Sequence, residues 1–258
     1  MHNDKKEGLR YKLGVCSVSF RQSSPESIVK ATKEAGLDYI EWGSDVHAPY
    51  KDTKRLREIS LLQNEYGVKC SSYGTYFRLG VTLIDELEGY IDAALLLGTD
   101  CLRLWCGDKS GEDMSTAEIN SLFDASRAAA KIAEERAVKL CLECHRGTFT
   151  QNPHDSVRLM EDINSFCFRM YWQPFQWLDF AGSMESAGLI APYTENIHVF
   201  NWHGDGKYPL CEGIEDWRGY LSRFSKGKTL LLEFMPDGRL ESLAKEAAAL
   251  RAIAGDGI

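Results

Sequence analysis

Short apolar runs alternate along this chain with amphipathic stretches of helical period, and glycines, prolines and polar caps stand between them. Leu13–Phe20 reads as a strand. Ser24-Pro25-Glu26 opens a helix: Ser caps, Pro takes the first helical position, Glu favours the first turn, and Gly36 closes it. Leu37–Trp42 is the second strand, with a helix over Lys54–Tyr66 that stops at Gly67. Val68–Tyr73 is the third, followed by a helix over Leu83–Leu97 and Gly98. Cys101–Cys106 is the fourth, and Ser115-Thr-Ala-Glu118 is a capping box that starts a long helix to about Glu135. Val138–Cys144 is the fifth strand, with a helix over His154–Ile163. Phe166–Trp172 is the sixth, with a weak helix near Gly182 and Gly188 that Pro192 ends. Ile197–Trp202, a helix over Asp216–Phe224, Thr229–Phe234 and a helix over Leu240–Ile253 complete the pattern.

Strands alternating with helices imply parallel βαβ units. Eight such units in 258 residues predict a single closed (β/α)8 TIM barrel, a fold that typically takes about 250 residues. The expected domain is residues 1–258, with a disordered tail over 1–10. An open doubly wound sheet is the alternative, and the missing glycine-rich first turn argues against it.

Composition narrows the function. A net charge of −8 argues against a nucleic-acid surface, which needs a basic footprint. Neither a secretory signal nor an apolar run of membrane-spanning length is seen, so a cytoplasmic protein with no membrane contact is expected. The eight cysteines fall largely inside apolar runs and are read as small hydrophobes. Cys141-Leu-Glu-Cys144 is formally a CxxC, but residues three apart on a strand face opposite ways.

In a barrel the chemistry gathers where strands end. Val138–Gly147 is an apolar strand running into Glu143, His145 and Arg146. A buried carboxylate costs several kcal/mol unless a cation or hydrogen bonds compensate it, so Glu143 is a working acid or a paired one. Glu233 ends the last strand in the same way. Two carboxylates, a histidine and a carbonyl-type oxygen from adjacent strands make an oxygen-rich set that suits a hard divalent cation better than a thiolate site does. Around them, Glu41, Trp42, His47, Tyr73, Arg103, Trp105, His145, His203 and Lys207 are candidate substrate contacts. The aromatic residues suit a sugar's apolar face.

These pieces resemble the sugar phosphate isomerase/epimerase family, the xylose isomerase-like TIM barrels. The likeness rests on Ile40-Glu41-Trp42-Gly43 with Asp45 and His47, Leu142-Glu143-Cys144-His145, Ile197–Trp202 and Leu232-Glu233-Phe234. It implies one divalent metal held by Glu143, His198 and Glu233, with Mn2+ the first choice and Mg2+, Co2+ or Zn2+ as alternatives. The strand-six ligand, usually Asp, stands here as Gln173, whose amide oxygen still donates but carries no charge. The expected activity is a divalent-metal-dependent isomerase or epimerase of a sugar, sugar phosphate or keto-polyol, with Glu143 and Glu233 moving protons through a metal-stabilised enediolate. A lyase or dehydratase acting on a keto-sugar is the alternative, and a metal-poor sugar-binding relative a further one. The partner is a small carbohydrate, without nucleic acid; homo-oligomerisation is left open.

Overall fold

The computed structural model describes residues 10–255, so residues 1–9 of the expected tail lie outside the described residues. Strands β1 (Lys12–Cys16), β2 (Tyr39–Gly43), β3 (Lys69–Leu79), β4 (Cys101–Cys106), β5 (Lys139–Glu143), β6 (Phe168–Trp172) and β7 (Thr194–Val199) come first in the chain. A small antiparallel hairpin, β8 (Trp202–His203) with β9 (Gly206–Lys207), follows, and then β10 (Thr229–Leu232). All but the hairpin form one closed parallel barrel in the order β1-β10-β7-β6-β5-β4-β3-β2. The helices are α1 (Pro25–Glu34), α2 (Thr53–Tyr66), α3 (Leu87–Leu97), α4 (Thr116–Arg136), α5 (Pro153–Ile163), α6 (Phe180–Ile190), α7 (Ile214–Leu221) and α8 (Leu243–Ala254).

The helix punctuation follows the capping chemistry. Ser24 Oγ accepts the Ser27 N–H at the start of α1, and both halves of the Ser115–Glu118 capping box are present at α4. Gly67 and Gly98 end α2 and α3 in the left-handed region, which favours glycine.

The strands depart from the expected bounds at their working ends. β1 stops at Cys16 and Ser17–Phe20 is a 3₁₀ turn, where the Ser17 hydroxyl accepts the Gly43 N–H and so stands in for the ladder. β3 runs six residues beyond Tyr73, to Leu79. β7 ends at Val199, and Trp202 belongs to the hairpin, which the Tyr208 N–H closes onto the Asn201 carbonyl.

Side-chain alternation divides the core in two. Leu102, Leu104, Leu140, Leu142, Ile197, Val199, Leu230 and Leu232 point outward into the large cluster beneath the helices. Cys16, Cys101, Cys141, Tyr171 and Leu231 fill the barrel interior. The residues two further along β4 and β5, and just beyond the end of β10, are Arg103, Glu143 and Glu233, so the interior becomes ionic toward the C-terminal mouth.

Candidate functional site

Inward parity brings charge together above the cysteine layer. Glu41 from β2, Arg103 from β4, Glu143 from β5 and His198 from β7 are all buried inside the barrel, as are Gln173 just past β6 and Glu233 just past β10. Arg103 ties two acids: its Nε donates to Glu41 Oε1 at 2.9 Å, and its Nη1 donates to Glu143 Oε2. Trp105 Nε1 also donates to Glu143 Oε2, at 2.6 Å. That oxygen is therefore occupied, and only Oε1 of Glu143 faces the centre of the site.

The centre is built around His198 Nδ1. Gln173 Oε1 stands 2.9 Å from it, Glu233 Oε2 3.4 Å and Glu143 Oε1 3.7 Å. Gln173 Nε2 donates to the Cys144 carbonyl at 3.0 Å, which turns the amide oxygen toward the imidazole. Above these donors opens a cavity of about 280 Å3, walled by Trp105, His145, Phe175, Trp202 and Phe234 and rimmed by Arg21, Tyr76, Arg146 and Gln176. Phe234, immediately after Glu233, has φ 57, a strained value for a bulky side chain, and its N–H is held by Ser19 Oγ at 2.7 Å.

The charges are unequal partners. Burial alone would raise the Glu143 and Glu41 carboxyls, but Arg103 and His198 hold both below the usual carboxylate range. Glu233 has no guanidinium of its own, and burial, partly offset by His198 and reinforced by Glu143, pushes it up to about 7. Burial pulls the His198 imidazole down, but Glu233, Glu41 and Glu143 outweigh it and hold it at about 9.

The donor set fits a divalent cation. The Glu143, His198 and Glu233 donors all lie within 4.8 Å of one another, and Gln173 adds a neutral oxygen. Three buried carboxylates face one guanidinium, which leaves a deficit of two positive charges when His198 is neutral. Cys16, Glu41 and His198 form a second group at such distances, but Arg103 and Ser72 already engage Glu41 there.

Parity turns two of the expected substrate contacts away from the cavity, and the others take varied positions around it. Trp42, next to inward Glu41, points outward and donates to Gln63 Oε1 of α2. Tyr73 likewise faces the helices, and its hydroxyl donates to the Ala48 carbonyl. His47 is buried behind the 3₁₀ turn, with Nδ1 on Ser17 Oγ. His203 is exposed on the hairpin. Lys207 is also exposed, with Nζ 4.7 Å from the centre of the Trp202 ring and 4.6 Å from that of Phe234. Glu41 lies beneath the cavity, whereas Arg103, Trp105 and His145 line it. The wall residue Phe175 gave no local signal in the sequence, and Arg146 and Phe234 stood out there only as neighbours of Glu143 and Glu233, not as contacts. Arg103 gave a signal: a cation amid Leu102 and Leu104, with inward parity, requires acids opposite it.

The sequence profile described as the xylose isomerase-like TIM barrel matches residues 29–253. No curated protein matches the chain. Among solved structures, a probable 3-DHS dehydratase involved in petrobactin synthesis from Bacillus anthracis superposes with TM-score 0.76 at 17% identity, covering 93% of this chain and 98% of that one. The IOLI protein with a binding zinc atom gives TM-score 0.74 at 15% identity, over 96% and 99%. D-Psicose 3-epimerase from Clostridium cellulolyticum gives 0.66 at 13%, over 93% and 96%. At these identities the likeness establishes the fold.

Proposed function

The chain belongs to the xylose isomerase-like TIM-barrel family, and on that premise we propose that it is a divalent-metal-dependent isomerase or epimerase of a sugar or keto-polyol. The observation that carries this reading is the convergence of Glu143 Oε1, Gln173 Oε1 and Glu233 Oε2, from residues that line the cavity, on His198 Nδ1 buried behind them. These four residues would hold the ion. When bound, it would supply Lewis acidity to a substrate carbonyl and stabilise negative charge developing on oxygen.

The chain's own residues do the rest. Of the cluster's carboxylates, Glu233 is the one that neither a guanidinium nor an indole N–H holds, its nearest side-chain nitrogen being His198 Nδ1 at 3.4 Å, so it takes the proton from the carbon beside the carbonyl. Glu143, pinned on Oε2 by Arg103 and Trp105, keeps its free oxygen toward the cluster. His145, packed 4.8 Å from Trp105 between ring centres, and the Trp202–Phe234 wall orient the sugar and exclude water. Protonation of the same carbon from the other face by a second acid, for which Glu143 is the candidate, gives epimerisation and leaves Glu233 with the proton it took; return of that proton by Glu233 to the neighbouring carbon gives aldose–ketose exchange.

The pinning of Glu143 favours a second reading. With one carboxylate free to shuttle protons, loss of a β-hydroxyl is as accessible as reprotonation, which makes the chain a lyase or dehydratase. One experiment separates the two. Protein loaded in turn with Mn2+, Mg2+, Co2+ and Zn2+, with metal content read by elemental mass spectrometry, is offered a panel of ketoses and keto-polyols in D2O. Deuterium uptake beside the carbonyl without loss of water is the expected result, and water loss would select the lyase. Glu233→Gln and Glu143→Gln should each lower turnover by at least about 100-fold with an unchanged circular dichroism spectrum. Failure to retain any of the four metals would sink the reading.

A further inference from the structure

Glu41 was expected to meet substrate, yet it sits beneath the donor cluster and is 1% exposed. Both of its oxygens are taken: Oε2 accepts from Ser72 Oγ at 3.0 Å and Oε1 from Arg103 Nε at 2.9 Å. The strand beside it leaves room for this arrangement. A Cβ at Gly74 would come 2.8 Å from both Arg103 Nη2 and Glu41 Oε1, and Gly74 is not in the left-handed region, so space is what the missing side chain provides.

Across the barrel, His198 presents its two nitrogens to different neighbours. Nδ1 faces Gln173, Glu143 and Glu233. Nε2 is fully buried without a hydrogen-bond partner, and Glu41 Oε1 stands 3.5 Å from it. A neutral imidazole carries one N–H, and the nitrogen without it is the one able to bind a metal. A carboxylate facing Nε2 holds a proton there, so that on binding a cation it is Nδ1 that would give up its proton and supply the lone pair, as with the outer partners of metal-binding histidines.

We propose that Glu41, anchored by Arg103 and Ser72, is the positioning residue of the site: its Oε1 takes the Nε2–H of His198, so that the proton a cation would displace is the one on Nδ1, which faces Gln173 Oε1 at 2.9 Å in the metal-free protein. The inference rests on the metal-site reading above. It also assigns Arg103 a part in the site: one guanidinium fixes both Glu41, behind His198, and Glu143, which would hold the ion.

Zn2+ is the probe, added to the full chain carrying 15N-labelled histidine. In the wild type, His198 should show a zinc-shifted Nδ1 and a slowly exchanging Nε2–H, identified by their loss in His198→Asn. Glu41→Ala should weaken Zn2+ binding by about 10- to 100-fold in calorimetry and make the Nε2–H exchange rapidly or vanish. Glu41→Gln, whose amide oxygen still accepts a hydrogen bond, should restore the Nε2–H signal and part of the affinity, a rescue that a merely structural loss would not give. If Glu41→Ala fails to fold, Ser72→Ala, which frees one carboxylate oxygen, replaces it, and its Nε2–H should exchange faster than in the wild type. Equal Zn2+ affinity and an unchanged Nε2–H in the folded variant would overturn the role of Glu41 while leaving the metal site standing. A wild type that binds no Zn2+ would remove both.

Discussion

The two faces of the barrel strands are buried equally and built in opposite ways. Outward, Trp42, Tyr73, Leu102, Leu104, Leu140 and Leu142 pack beneath the helices, and each polar tip finds one nearby partner, as Trp42 finds Gln63. Inward, the same strands carry Glu41, Ser72, Arg103 and Glu143, whose partners lie on other strands. An outward residue is stabilised by its own area and loses only that when cut. An inward one is stabilised by cancellation, and removing a member leaves its partners charged and dry.

Breaking that cancellation gives the largest expected effect. Arg103→Met should cost more than about 3 kcal/mol in urea unfolding, because Glu41 and Glu143 both lose their cation. Adding Glu41→Met should recover part of that loss, whereas strict additivity would show that the pair is not coupled. On the outward face, Trp42→Phe should cost about 1–3 kcal/mol, the price of leaving Gln63 partly unsatisfied, and should leave Zn2+ affinity unchanged. A change in affinity with Trp42→Phe would mean that the two faces are not independent.

Protons sharpen the same contrast. Glu233 and His198 both have folded-state pKa values raised above the unfolded ones, to about 7 and about 9. Each therefore stabilises the metal-free protein below its unfolded value, and that contribution is lost as pH rises through the folded value. Metal must displace the same protons, so Zn2+ affinity should climb between about pH 6 and 9 while the metal-free melting temperature falls. Flat profiles across that window would remove Glu233 and His198 from the ligand set. A smaller change is expected from Gln173→Asp: the added charge should tighten Zn2+ by roughly tenfold, and an unchanged dissociation constant would exclude Gln173 as a ligand.

The described helices include none long and apolar enough to cross a membrane. Within the barrel, the sequence by itself determined the order of barrel strands and helices, the capping signals at Ser24 and Ser115, and the acids at the ends of β5 and β10, because these rest on local propensity and on alternation along one strand. Alternation also held the reason why Trp42 and Tyr73 could not share a pocket with Glu41 and Ser72, but it shows which residues face together without saying which face is inside. Only closure of the sheet decided that. It placed Arg103 between Glu41 and Glu143, residues 62 and 40 positions away in the chain, and turned His198 to face both Gln173 and Glu41. Such contacts depend on the stagger of the strands around the barrel, a property of the whole sheet.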